Sequence, residues 1–441
     1  MLIALEKRID RLNPRLNAII ARDPSAAAAA RDSAARIKGG APRSVLEGIP
    51  FTVKDNILVA GLRCTWGSRL MQDYIPDSDE LPVARLRAAG AIVVGKTNVP
   101  EFTLEGYTSN PLFGVTRNPW DTALTPGGSS GGGAAAVATG LGAFAIGTDG
   151  GGSIRRPASH GGLVGFKPSI GRVARGPSLP QILLDMEVIG TLTRTTGDCA
   201  LIFQTIAAAH PQDPLSLFGR DPRRIAEPPR VLYVPRLGAA PVDPQVLAST
   251  DAAARVLAQT GMAVRLGDLP FDVSPVTDFW PLLGQVGVAH VLAQHPGKES
   301  LVGERWRSMA AEGARVPATR YLAGIEAIGA FRSTVAAAFD DVDFIMTPSA
   351  AALPWPAEQP FPEAIDGTPV GSRGHAVYTG WVNACGYPAI SLPGPPTPDG
   401  LPVGFQIVGR FGADQQLIDL ARRFEAANPW RDRWPAIALE D

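Results

Sequence analysis

The segment Gly127-Gly128-Ser129-Ser130-Gly131-Gly132-Gly133 and its neighbour Gly147-Thr148-Asp149-Gly150-Gly151-Gly152-Ser153-Ile154-Arg155 decide how this chain is read. Glycine-serine runs on their own make flexible loops. These two are flanked by regular patterns, since residues 134–139 read as a helix start and 142–146 as a buried strand. Both loops are therefore expected at element ends, on a rigid frame. Upstream, Val53-Lys54-Asp55-Asn56 follows the apolar alternation Ile49, Phe51, Val53. That places Lys54 at the end of a buried strand, where a charge is costly.

Glycines around a serine let backbone N–H groups converge, because a residue without a Cβ takes left-handed dihedrals at little cost. Convergent N–H groups form an oxyanion hole. A serine beside such a hole still needs a base, and Lys serves when burial or a nearby cation favours its neutral form. An ordinary lysine, with pKa about 10.4, is neutral in only a few parts per ten thousand near pH 7, so burial has to lower it. Ser-Lys variants of the hydrolytic triad work this way.

With these segments the chain resembles the amidase signature enzymes. The resemblance extends over Gly48-Ile49-Pro50-Phe51-Thr52-Val53-Lys54-Asp55-Asn56, Gly95-Lys96-Thr97-Asn98 with Glu101-Phe102, and Asn118-Pro119-Trp120. It continues through Gly165-Phe166-Lys167-Pro168, Gly171-Arg172, Gly386-Tyr387-Pro388-Ala389 and Gly400-Leu401-Pro402-Val403-Gly404-Phe405-Gln406. The resemblance implies Ser153 as nucleophile, Ser129 as bridge on a cis Gly128–Ser129 bond, and Lys54 as base. It also implies an oxyanion hole from the amides of Gly150, Gly151, Gly152 and Ser153, with Ser130 in support. Asp149 and Arg155 flank the nucleophile and are expected to form an ion pair, and Asp55 and Asn56 to cap loops through side-chain to backbone bonds. Gly150 stands where many relatives carry a larger residue, which predicts a wider acyl pocket or a looser hole. Gly128, Trp280, Tyr378 and Trp381 are the candidates for the substrate pocket.

The implied activity is that of a cofactor-free, metal-free amidase that hydrolyses a small carboxamide or N-substituted amide to an acid and ammonia or an amine. Two other readings share the fold: the A component of a tRNA-dependent amidotransferase, and a catalytically idle binding protein. An idle site has no chemical need for Lys54, Ser129 and Ser153 together.

Other matches to known motifs lack the required context. Gly90-Ala91-Ile92-Val93-Val94-Gly95-Lys96-Thr97 fits a phosphate-loop expression, but residues 91–94 read as the strand itself, after a helix at 81–89. Gly140-Leu141-Gly142 lies between a helix and a strand, the reverse of a dinucleotide fingerprint. Ser129 and Ser130 each fit a nucleophile elbow, for which Asp343 and His375 are the downstream partners, yet 122–126 is poor strand material. His160, His210, His290, His295 and His375 show no metal-ligand spacing. His160 is near enough to Ser153 in sequence to line the site, although a loop histidine satisfied by backbone is the simpler reading.

Blocks near residues 50 and 400 must build one structure, so the expected fold is a single α/β domain over 1–441. Its mixed, mostly buried sheet would be covered by helices on both sides. Strands are expected at 51–53, 91–94, 143–146, 231–234, 344–346, 389–392 and 404–408. Residues 1–44 read as an outer helical segment. The stretch 211–340 reads as a mostly helical variable region that shapes the substrate pocket, and 211–229 and 350–373 read as loops. A net charge of −1 without long single-sign runs gives no nucleic-acid footprint. No apolar stretch is long enough to span a membrane. Three scattered cysteines and a charged amino terminus point to a cytoplasmic protein with reduced thiols, leaving a homodimer open.

Overall fold

The computed structural model describes residues 1–217 and 225–440. Among these, eleven strands form one mixed sheet. Its order is Ile19–Arg22, Ile92–Thr97, Pro50–Lys54, Phe144–Asp149, Val188–Thr193, Val164–Lys167, Ala389–Pro393, Gly404–Gly409, Phe344–Pro348, Arg230–Tyr233, Ala263–Leu266. The neighbours of Pro50–Lys54 run parallel to it. So do the pairs made by Arg230–Tyr233. The centre of the sheet is antiparallel. Segments from both ends of the chain thus build one α/β domain, as their motifs require.

Helices cover both faces, which is why the strands read as apolar runs. Phe344, Met346 and Ile407 enter the core under helices Leu81–Ala88, Thr196–Ile206, Pro244–Gln259 and Asp414–Ala427. Ile345 and Val408 point the other way, into the core under Ser274–Ala293, Glu304–Gly313 and Ala318–Ala338. The side-chain period of two in a strand sorts them.

All seven expected strands are present in this sheet, and its other four were not legible. Val188–Thr193 hides behind Gly190, whose added Cβ would lie 2.0 Å from the Phe166 carbonyl oxygen; glycine there permits close approach of the adjacent strand. The amino-terminal segment is not purely helical either. Helix Leu2–Leu16 buries Leu5, Ile9 and Leu12, and Ala26–Lys38 ends before Gly39, but Ile19–Arg22 between them pairs with Ile92–Thr97 as an edge strand. Residues 244–340 are mostly helical, with one strand, Ala263–Leu266, and 350–373 is a loop with one small hairpin, Ala364–Ile365 with Thr368–Pro369. Of the expected loop at 211–229, residues 218–224 lie outside the described residues.

Helix Gly131–Ala138 starts three residues earlier than expected and takes the glycines into its first turn. A Cβ on Gly132 would come within 2.5 Å of the Asn98 amide nitrogen and 2.8 Å of the Ala18 carbonyl oxygen. These are backbone atoms that cannot rotate away. Gly132→Ala, despite alanine's better helix propensity, is therefore expected to destabilise the protein by about 1–3 kcal/mol, read as a lower thermal unfolding midpoint.

Lys96, the lysine of the phosphate-loop match, is fully buried in strand Ile92–Thr97; it donates to the Ile57 carbonyl at 2.6 Å and lies 3.5 Å from Asp55. Cys64, Cys199 and Cys385 are buried free thiols. Among the described residues no helix is long and apolar enough to cross a membrane.

Candidate active site

Parallel pairing of Pro50–Lys54 with Phe144–Asp149 brings their carboxyl ends together, and with them Lys54, Thr148 and Asp149. Crevices at such strand ends are where α/β sheets bind ligands. Lys54 is 1% exposed. Its Nζ lies 2.8 Å from Ser129 Oγ, 2.8 Å from Thr148 Oγ1 and 3.0 Å from the Thr148 carbonyl oxygen. Burial pushes the Lys54 pKa down to about 7, with Arg175 and Arg156 acting the same way and the negative charges of Glu187 and Asp149 opposing. Near neutral pH a large share of this amine is therefore unprotonated.

Ser129 follows a cis Gly128–Ser129 bond. Its loop is tied to the second glycine segment by the Ser130 amide, which donates to the Ser153 carbonyl at 3.1 Å, and by Ser130 Oγ, which donates to the Thr148 carbonyl at 3.3 Å. Lys54, Ser129, Ser130 and Ser153 are all brought to one place by these bonds. Ser153 is 7% exposed and is separated from helix Arg155–Gly161 by Ile154 alone.

Asp149 organises the second loop from within. Its carboxylate accepts the amides of Gly152 at 2.8 Å and Ile154 at 3.0 Å, and the Arg155 guanidinium at 2.8 Å and 3.0 Å. Asp149 and Arg155 are both fully buried, and the expected ion pair is present. Burial alone would raise the Asp149 pKa; Arg155 and Asn383 overrule it and hold the carboxyl far below the usual range. Replacing one member of such a pair strands a buried charge. Asp149→Asn is expected to cost about 3–5 kcal/mol of stability, checked by chemical denaturation.

Because Asp149 takes the Gly152 amide, that N–H is already committed. The amides of Gly150, Gly151 and Ser153 have no protein acceptor among the described residues. Gly150 opens no extra room: a Cβ there would meet Leu183 Cδ1 at 2.4 Å, so Leu183 already fills the space that a wider acyl pocket would need. Gly128 leaves no room for a side chain, since a Cβ there would lie 2.3 Å from the Tyr107 carbonyl oxygen, and its own carbonyl oxygen accepts from Arg156 Nη2 at 3.4 Å.

The aromatic candidates separate. Trp280 lies against Gly151, where a Cβ would be 2.8 Å from the indole. It borders a cavity of about 210 Å³ and an adjoining apolar cavity of about 400 Å³, and Trp381 lines the second. Tyr378 lines neither; it sits in a separate core cluster and its hydroxyl donates to the Pro235 carbonyl at 2.6 Å. His160 is also away from the cavities, buried on helix Arg155–Gly161 with its ring edge-on to Trp355. Asp55 accepts the Thr65 amide at 3.1 Å as a loop cap should, whereas Asn56 donates to the side chain of Thr148 at 3.0 Å. The elbow partners never meet, since Asp343 pairs with Arg230 and Arg410 while His375 faces Arg156.

Several supporting residues escaped the sequence reading. Asn383 Nδ2 donates to the Asp149 carbonyl at 2.8 Å, Gln406 Oε1 accepts from Arg155 at 2.8 Å, and Thr379 Oγ1 donates to the Gly151 carbonyl at 2.7 Å. Gln406 lies inside one of the motif blocks, a usable signal; Asn383 and Thr379 carry none. Among the described residues no group of three or more His, Cys, Asp and Glu side chains is placed to hold a metal.

Comparison with known proteins identifies the family. The Amidase family profile matches residues 1–418. The chain is 33% identical to an acylamidase of Rhodococcus erythropolis, over 99% of this chain and 93% of the relative. It is also 33% identical to the A component of the glutamyl-tRNA(Gln) amidotransferase of Thermus thermophilus, over 96% and 92%. A solved structure of 6-aminohexanoate cyclic dimer hydrolase with its substrate superposes with a TM-score of 0.89 at 28% identity, covering 99% of this chain and 95% of that one. With sheet, paired glycine loops and buried lysine all in place, the chain belongs to the amidase signature family and is an amidohydrolase.

Proposed function

We propose that the protein hydrolyses the amide bond of a small carboxamide or N-substituted amide through an acyl-enzyme on Ser153. The observation that carries this reading is the buried Lys54 Nζ, 2.8 Å from Ser129 Oγ and depressed to a pKa of about 7. As a free amine, Lys54 gives its N–H groups to the two Thr148 oxygens and turns its lone pair to the Ser129 hydroxyl. Ser153 Oγ attacks the carbonyl carbon, its proton passes to Ser129, and the Ser129 proton passes to Lys54. The uncommitted amides of Gly150, Gly151 and Ser153 are the donors left for the oxyanion, while the Asp149-held Gly152 shapes the loop around it. The proton then returns along the chain to the departing nitrogen. Water cleaves the ester and releases the acid.

The helical region within 211–340 shapes the pocket through Trp280, Gly284, Trp306 and Met309, which line the smaller cavity. Exposure to a fluorophosphonate followed by mass-spectrometric peptide mapping tests the assignment. The expected adduct is on Ser153. No adduct, or one confined to Ser129 or Ser130, would overturn it.

Similarity to the A components of amidotransferases supports a second reading, in which the ammonia is passed to a partner rather than released. Amide hydrolysis by the purified chain alone favours the first reading, and hydrolysis only in a stable complex with partner proteins favours the second.

A further inference from the structure

The cavity of about 210 Å³ beside Gly151 is bordered by three arginines, Arg156, Arg305 and Arg373, and one carboxylate, Glu105. Glu105 is already taken by Arg305 in an ion pair. The nearby carboxylate of Asp149 is saturated by Arg155 and the loop amides. Arg156 and Arg373 are left with no carboxylate partner among the described residues. Arg156 is 4% exposed, and its hydrogen bonds go to neutral groups: His375 Nε2 at 2.8 Å, and the carbonyls of Gly152 at 3.3 Å and Gly128 at 3.4 Å. Burial, helped by the positive charges of Arg156 and Arg373, keeps His375 neutral, so its Nε2 accepts rather than competes.

Arg373 comes from the 350–373 loop and lays its guanidinium over Trp280 at 4.7 Å from the ring centre. Its Nη2 is 3.7 Å from where a Gly151 Cβ would stand, and Arg156 Nε is 2.9 Å from where a Gly152 Cβ would stand. Two guanidinium groups therefore flank the loop whose amides face the scissile carbonyl. They also repel one another: after burial, the charge of Arg373 is the next cause drawing the Arg156 pKa down to about 9. The cation-π contact with Trp280 positions the Arg373 guanidinium, whose intrinsically planar fork binds a carboxylate through two parallel bonds. The cavity is smaller than the roughly 300 Å³ at the low end of drug-sized ligand sites, which limits the occupant to a short chain.

We infer that the substrate is a small amide carrying a carboxylate, which docks between Arg156 and Arg373 beside Gly151. The bond cleaved rests on the amidase reading above; the anion site does not.

Calorimetric titration of the purified protein tests the site without turnover. The probes are succinate, glutarate and N-acetylglycine, with uncharged succinamide and N-acetylglycinamide as controls. Carboxylates on the acyl side and on the amine side are thereby distinguished. At least one acid is expected to bind roughly tenfold or more tighter than its neutral counterpart, and Arg373→Met to abolish that difference. Arg156→Lys, which keeps the charge but not the fork, should reduce it. Equal binding of acids and neutral controls, no binding of any acid, or a preference that survives in Arg373→Met would overturn the inference. A Ser153 that fails to label would overturn the catalytic assignment and leave these titrations unaffected.

Discussion

Ser153→Ala is expected to lower kcat/KM for amide hydrolysis by on the order of 10⁵–10⁶-fold while leaving the thermal midpoint unchanged. The loss is large because, in the proposed mechanism, the triad acts as a unit. Without Oγ no acyl-enzyme forms, and Lys54 and Ser129 have no proton to receive. The fold survives because what Ser153 contributes to the loop is backbone: its carbonyl accepts the Ser130 amide, and the adjoining amides of Gly152 and Ile154 are held by Asp149. Alanine keeps all of these. Steady-state kinetics on any accepted amide, with a melting curve alongside, checks both halves. Activity within tenfold of wild type would remove Ser153 from the chemistry.

Lys54→Met should cost roughly 10²–10⁴-fold, the range for loss of a positioned general base. It should also change the shape of the pH profile. In the wild type only the neutral amine accepts the relayed proton, so kcat/KM rises with pH, about tenfold per unit, until the Lys54 pKa near 7 and then levels off. Acid weakens the enzyme because protonation removes the base. In Lys54→Met that limb disappears and the residual rate is flat across the same window. A wild-type profile without an inflection between about pH 6 and 8, or a variant that retains it, would show that another group governs the rate.

Lys54 stood out because it ends an apolar run, and Ser129 because the regular patterns flanking its glycine-rich run set that run on a rigid frame. The same local logic found the strand at Phe344–Pro348 and the helix at Leu81–Ala88. It misjudged Gly131–Gly133 as loop, since glycine's weak helix propensity is a local quantity and the close approach to Asn98 and Ala18 that demands glycine is not. Tyr378 and Trp280 looked alike as pocket aromatics. Only the positions of Pro235 and Gly151 tell a core tyrosine from a cavity wall.

Residue order alone was enough for the fold class, the family and the two glycine-serine loops on which the proposed mechanism rests, because these depend on periodicity and on residue types placed within a few positions of one another. The packed structure was needed to see which amides the loop leaves free, how Leu183 closes the space beside Gly150, and how burial lowers the Lys54 pKa. It also left Arg156, buried, and Arg373, exposed at the rim, without counter-ions at one cavity. These features depend on burial or on charges brought together from segments far apart in the chain, and neither quantity exists until the sheet has formed.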